Sequence, residues 1–159
     1  MVLTLNELNK KLFAGADILR GSIHSQEYKD YIFGLLFLKR LSDEFNFKAE
    51  VIMKERIAEG FSEEDAKEIA YNDPDEHSNS FFVPKDATWE ELTKKSNNIG
   101  EHINKMFEVL EHENPSIQGV LGAIDYDDKE KLSDAVLSRL VIHFTNIGDL
   151  SDNNLESID

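Results

Sequence analysis

From Tyr28 onward, apolar residues recur at 28, 31, 32, 35, 38 and 45, the three-and-four spacing of one helix face. Phe33, Leu36, Phe37 and Leu41 fill much of the remaining circumference, which describes a helix buried nearly all round. The uncharged stretch Tyr31 to Leu38 could also be a buried strand, but good helix formers continue on both sides and Leu41 and Phe45 extend the helical spacing. Gly34 costs about 1 kcal/mol relative to Ala inside such a helix, so close approach by another helix is expected there. The pattern runs on to about Ala58, with a bend near Asn46 as the alternative, and Ser25 is the expected N-cap.

Similar reasoning places the other elements. Thr4 to Glu7 has the Thr-x-x-Glu form of a capping box, and Leu5, Leu8, Leu12, Phe13, Ala16 and Leu19 follow at helical spacing, so a helix is predicted over about 5–19 with Gly21 as its stop. Ser62 opens a third helix ending near Tyr71, followed by an acidic loop, 72–79. Phe81, Phe82 and Val83 form a short extended segment before Pro84, and Thr88 to Glu91 is another capping box. Ile99, Ile103, Met106, Phe107 and Leu110 make an amphipathic stripe closed by Asn114-Pro115, with a turn or short helix near 116–121. Asp127 or Asp128 is the expected start of the last full helix, carrying Leu132, Val136, Leu137, Leu140, Val141 and Phe144. Strand-like alternation is confined to 81–83 and 123–126, so the fold class is all-α, a compact bundle of about five to six helices in one domain over 1–159. The tail, Asp149 to Asp159, resembles the cap and first turn of a further helix, so the natural chain is expected to continue.

Charge narrows the functional classes. With 32 acidic and 17 basic residues the net charge is −15, which argues against wholesale wrapping of nucleic acid, since Lys and Arg dominate phosphate contact. The absence of cysteine removes disulfides, thiolate metal sites and Cys nucleophiles together. The N-terminus lacks a signal-peptide pattern and the run 31–38 is too short to span a bilayer, so a soluble, cytoplasmic location is expected.

Candidate chemistry is sparse. The glycines match neither a P-loop nor a dinucleotide fingerprint. The acidic loops at Asp73, Asp75 and His77 and at Asp125, Asp127 and Lys129 break the EF-hand ligand order. The histidines 24, 77, 102, 112 and 143 form no His-Glu-x-x-His, and no Gly-x-Ser-x-Gly is present. Asn114-Pro115-Ser116-Ile117 approaches the Asn-Pro-Pro-aromatic tetrad that holds a flipped adenine, but Ser and Ile replace the second Pro and the stacking ring, so it reads as a helix terminator. No catalytic, cofactor-binding or metal residue is assigned.

The segment LRGSIHSQEYKDYIFGLLFLKRLSDEF, residues 19–45, closely resembles the N-terminal helical region of the modification (HsdM) subunit of type I restriction-modification systems. So do LNKKLFAGADILRG, FFVPKDATWEEL (81–92), NNIGEHINKMFEVLEHENPSIQGVL (97–121) and DLSDNNLESI (149–158). The resemblance implies a part of an adenine-N6 DNA methyltransferase subunit using S-adenosylmethionine, partnered by a specificity subunit, a second modification subunit, a restriction subunit and DNA. It places the cofactor and catalytic motifs downstream of 159, so the fragment itself would be catalytically silent, helping to embrace DNA and to assemble with the specificity subunit. Lys39 and Arg40, with Lys94 and Lys95 as weaker candidates, are the expected DNA or partner contacts. The rival reading is a free-standing acidic all-α interaction module.

Overall fold

The computed structural model describes residues 2–119, 124–152 and 154. The described residues form six α-helices: α1 (Leu5–Leu19), α2 (Tyr28–Ala58), α3 (Glu63–Asn72), α4 (Trp89–Thr93), α5 (Ile99–Glu113) and α6 (Asp134–Thr145), linked by short 3₁₀ turns. No strand is present among the described residues, so the fold is all-α and the segment 81–83 is not a strand; of the 123–126 alternative, residue 123 lies outside the described residues and 124–126 are irregular. No described helix is long and apolar enough to cross a membrane.

Four helices begin where a hydroxyl can accept an orphan backbone N–H. Thr4 accepts from Glu7, Ser62 from Asp65, Thr88 from Glu91 and Ser133 from Val136. The last of these corrects an expectation: α6 starts at Asp134, not at Asp127 or Asp128. Asp125 and Asp128 instead bond the backbone two residues on, accepting from Asp127 N at 2.8 Å and Glu130 N at 3.2 Å, the local competition that takes aspartate out of helices. Ser25 also differs from expectation, opening a 3₁₀ turn (Ser25–Glu27) with no side-chain cap before α2 begins at Tyr28.

Helix α2 runs unbroken through Asn46 to Ala58 and ends where Gly60, at φ +105°, lets the Gly60 and Phe61 N–H groups bond back to Ile57 and Arg56. Helix α3 then returns along it, bringing Tyr71 edge-on to Phe45 at 6.0 Å, with Ala49, Ala66 and Ala70 fully buried along the pair. Tyr31, Ile32, Leu35, Leu38, Leu41 and Phe45 sit in the core, but Phe33 is 44% exposed, with the Lys29 ammonium 5.7 Å from its ring centre. The uncharged run is therefore buried on most of its circumference rather than all of it.

The close approach at Gly34 comes from the 124–132 loop rather than from a helix. A Cβ at Gly34 would stand 2.1 Å from the Tyr126 hydroxyl, and one at Gly100 of α5 would stand 2.0 Å from the Tyr126 carbonyl oxygen. Tyr126 is fully buried, donates to the Tyr31 carbonyl at 2.7 Å, meets the Tyr31 ring edge-on at 5.2 Å and stacks on Phe107 at 6.0 Å. Its loop is held by Asn104, whose amide accepts from Tyr126 N and donates to Asp125.

Other long-range polar ties complete the packing. Asn98, at φ +50°, opens α5 without a cap of its own, so the Asp134 carboxylate from the first turn of α6 accepts from the N–H groups of Asn98 and Ile99. Asn114 does end α5, and its buried amide also pairs both ways with the Phe82 backbone, at 2.9 and 2.8 Å. Ser42 of α2 accepts from Trp89 N at 2.8 Å, and the Trp89 indole donates to Thr145 at 2.9 Å, joining α4 to α2 and α6.

Gly34→Ala should destabilise by about 1–3 kcal/mol despite the better helix propensity of alanine, because the added methyl overpacks against Tyr126. Tyr126→Phe should cost about 1 kcal/mol for the lost hydrogen bond. In the Tyr126→Phe background the Gly34→Ala cost should shrink, which a double-mutant cycle by urea unfolding measures directly.

Candidate functional site

The expected cationic positions fall in two places. Lys39 and Arg40 lie at the middle of α2, each one helical turn before an acid, Asp43 and Glu44. These four side chains face the segment that follows α6 and hold it by its backbone. Lys39 donates to the Gly148 carbonyl at 2.7 Å and Arg40 to the Leu150 carbonyl; Asp43 accepts from Leu150 N at 2.8 Å and Glu44 from Asp152 N at 2.7 Å. The segment adds its own turn, with Asp149 accepting from the N–H and hydroxyl of Ser151, and Asn154 accepts from Leu3 N at 2.8 Å. Side chains on one helix thus read alternate backbone groups of the segment, and both chain ends of the described fold meet beside α2.

Lys39 is only 5% exposed and is ion-paired with Asp43. A buried ammonium needs such a partner, since an unpaired charge in the interior carries a desolvation cost of several kcal/mol. Burial also pushes the Asp43 carboxyl above its ordinary pKa, against the opposing pull of the Lys39 and Leu150 hydrogen bonds. Arg40 is placed differently: it is half-buried and reaches the Asp152 carboxylate, which is itself 74% exposed. An ion pair at such an exposed site is worth at most about 1 kcal/mol. Beside Arg40 lies a cavity of about 430 Å³, reached also by Lys48 and by the small polar side chains of Ser78, Asn79, Ser80 and Ser116.

The second place is the end of α4. Lys94 is exposed and holds Glu91 at 3.1 Å, keeping that carboxyl below its ordinary pKa. Lys95 is exposed and has no ion pair among the described residues. Its charge reaches His102 of α5, whose pKa is lowered chiefly by burial and further by Lys95, and whose Nε2 is buried without a hydrogen-bond partner. The two cationic places therefore differ in kind: Lys39 is built into the interior, Arg40 rims a cavity, and Lys94 and Lys95 lie on the surface. Asp43, Glu44 and Asp152 were not singled out in the sequence; the only local sign of them was acids one turn after Lys39 and Arg40. Among the described residues no group of three or more His, Asp or Glu side chains is placed to hold a metal ion.

The architecture is thus that of a helical domain whose polar machinery works on its own backbone. Residues 8–144 match the HsdM N-terminal domain, and the chain belongs to that family. It is also 28% identical, over 117 residues, to a type I restriction enzyme MjaIX methylase subunit from Methanocaldococcus jannaschii. That similarity covers 69% of this chain and 21% of the relative, so the chain spans about a fifth of that protein's length.

Two outcomes check this geometry. Lys39→Met and Asp43→Leu should each cost about 3–5 kcal/mol by stranding a buried charge, whereas the double variant should cost markedly less than their sum; thermal or urea unfolding reads this. His102 contributes a pH dependence of fixed sign. Its folded pKa is lowered, so on acidification the unfolded chain takes the proton first, near the ordinary value of about 6.5, and stability is lost as pH falls through that value. His102→Gln should remove that part of the stability loss between pH 7 and pH 5, seen as the difference between the two unfolding profiles.

Proposed function

We propose that this chain is the N-terminal helical domain of an adenine-N6 DNA methyltransferase subunit of a type I restriction-modification system. In this reading the subunit takes its methyl group from S-adenosylmethionine, and the cofactor and catalytic residues belong to a domain downstream of residue 159. The helical domain serves assembly with the specificity subunit, beside a second modification subunit and the restriction subunit, and contributes to holding DNA.

The observation that carries the proposal is the family match over residues 8–144, which runs through all six helices. The named relative, a type I methylase subunit, supports the methyltransferase setting. A net charge of −15 suits a role in which most contact is with a protein partner bearing a basic face, and DNA contact is local. Lys39, Arg40, Lys94 and Lys95 remain the proposed contact residues, with Arg40, Lys94 and Lys95 the ones whose charge reaches the surface.

Co-expression of the complete modification subunit with its specificity subunit tests this. The intact subunit should co-purify with the specificity subunit and transfer labelled methyl groups to adenine in duplex DNA, and deleting residues 1–159 should abolish co-purification. Binding of S-adenosylmethionine by the 159-residue chain alone, measured by calorimetry, would contradict the placement of the cofactor site. Capture of basic proteins with no requirement for the specificity subunit would favour the free-standing acidic module.

A further inference from the structure

We infer that the cavity beside Arg40 is a DNA phosphate site, and that the Asp152 carboxylate covers it until a phosphodiester displaces it. The inference rests on the proposed role in DNA engagement and names the place of contact.

Three observations carry it. First, Arg40 is already paired with an anion: one guanidinium nitrogen is fixed on the Leu150 carbonyl and the other holds Asp152. The Leu150 bond orients the guanidinium whether or not Asp152 stays. Second, the cavity also presents hydroxyl and amide side chains without protein partners. The side chains of Ser78, Asn79, Ser80 and Ser116 make no hydrogen bond among the described residues, although all four line the same space. Hydroxyl, amide and guanidinium groups are the set that contacts phosphate oxygens, and a phosphodiester accepts more bonds than the single carboxylate now present.

Third, the local charge count is balanced only by Asp152. Arg40 and Lys48 line the cavity together with Glu44 and Asp152, and Glu44 lies 3.9 Å from Lys48 while accepting from the backbone of Asp152. Moving the Asp152 side chain aside leaves two cations against one acid, a net positive spot on a chain of net charge −15. The move is cheap, because Asp152 is 74% exposed and its backbone tie to Glu44 does not involve the carboxylate. The end of α4 differs in charge: Lys94 is held by Glu90 and Glu91, and the cavity it lines carries five glutamates against three lysines.

A nitrogen-15 NMR titration of the chain with a 12-base-pair duplex at low salt, and separately with inorganic phosphate, tests the site. The duplex should shift the amides of Asn79 and Ser80 and the Arg40 side chain. Asp152→Asn should tighten the duplex roughly five-fold, the scale of one surface ion pair. Lys48→Gln and Asn79→Asp, which leave the backbone ties of Arg40 untouched, should each weaken it, and Lys48→Gln should flatten the dependence of log K on log salt by about one unit. Arg40→Gln should abolish the shifts, and its unfolding profile checks that the fold survives. Duplex shifts confined to Lys94 and Lys95 would overturn this inference while leaving DNA engagement standing. No shift with duplex, even for Asp152→Asn and in the presence of the specificity subunit, would overturn both. Equal affinity for duplex and inorganic phosphate would overturn the assignment to DNA.

Discussion

Tyr126 sets the distance between α2 and α5. Its hydroxyl occupies the space where Gly34 lacks a side chain, and its carbonyl occupies the corresponding space at Gly100. A residue with any Cβ at either position would collide with an atom that is itself fixed, since the hydroxyl is bonded to the Tyr31 carbonyl and the backbone to Asn104. Burial of a phenol is tolerable only with such a partner. The irregular loop 124–132 therefore behaves as a core element, and at Gly34 it lies closer to α2 than the Phe107 ring of α5 does.

A second constraint acts further along α2. The Lys39 and Asp43 pair buries two charges that would be costly singly, and the backbone of the segment after α6 satisfies what the pair leaves open. One long helix is thus held twice, from one side by a tyrosine and from another by a stretch of main chain. At Asp152 the backbone is fixed on α2 through Glu44.

Much of the helical content was legible in the sequence, because helix starts and stops are written locally. Thr4, Ser62 and Thr88 announced their helices, Gly21 and Asn114 ended theirs, and the spacing from Tyr28 to Ala58 proved continuous. The start of α6 was misplaced because Asp127 and Asp128 look like caps, while in the fold the nearby aspartates close turns and Ser133 does the capping. Partners distant in sequence were not legible. Nothing near Gly34 points to Tyr126, nothing near Asn98 to Asp134, and a Lys-to-Asp spacing of four reads as a surface pair, whereas Lys39 is interior. The resemblance of the segment around residues 19–45 led to the family that residues 8–144 match, while the cavity at Arg40 depends on loops 78–80 and 116 and could only be seen folded.

Native-state hydrogen exchange of individual amides tests the central claim that α2 is held from both sides as one cooperative unit. The account predicts that the amides of residues 35–45, together with those of Tyr126 and Leu150, open only with global unfolding and share its free energy. Exchange of the Tyr126 or Leu150 amide at the rate of an open loop, while α2 stays protected, would contradict it.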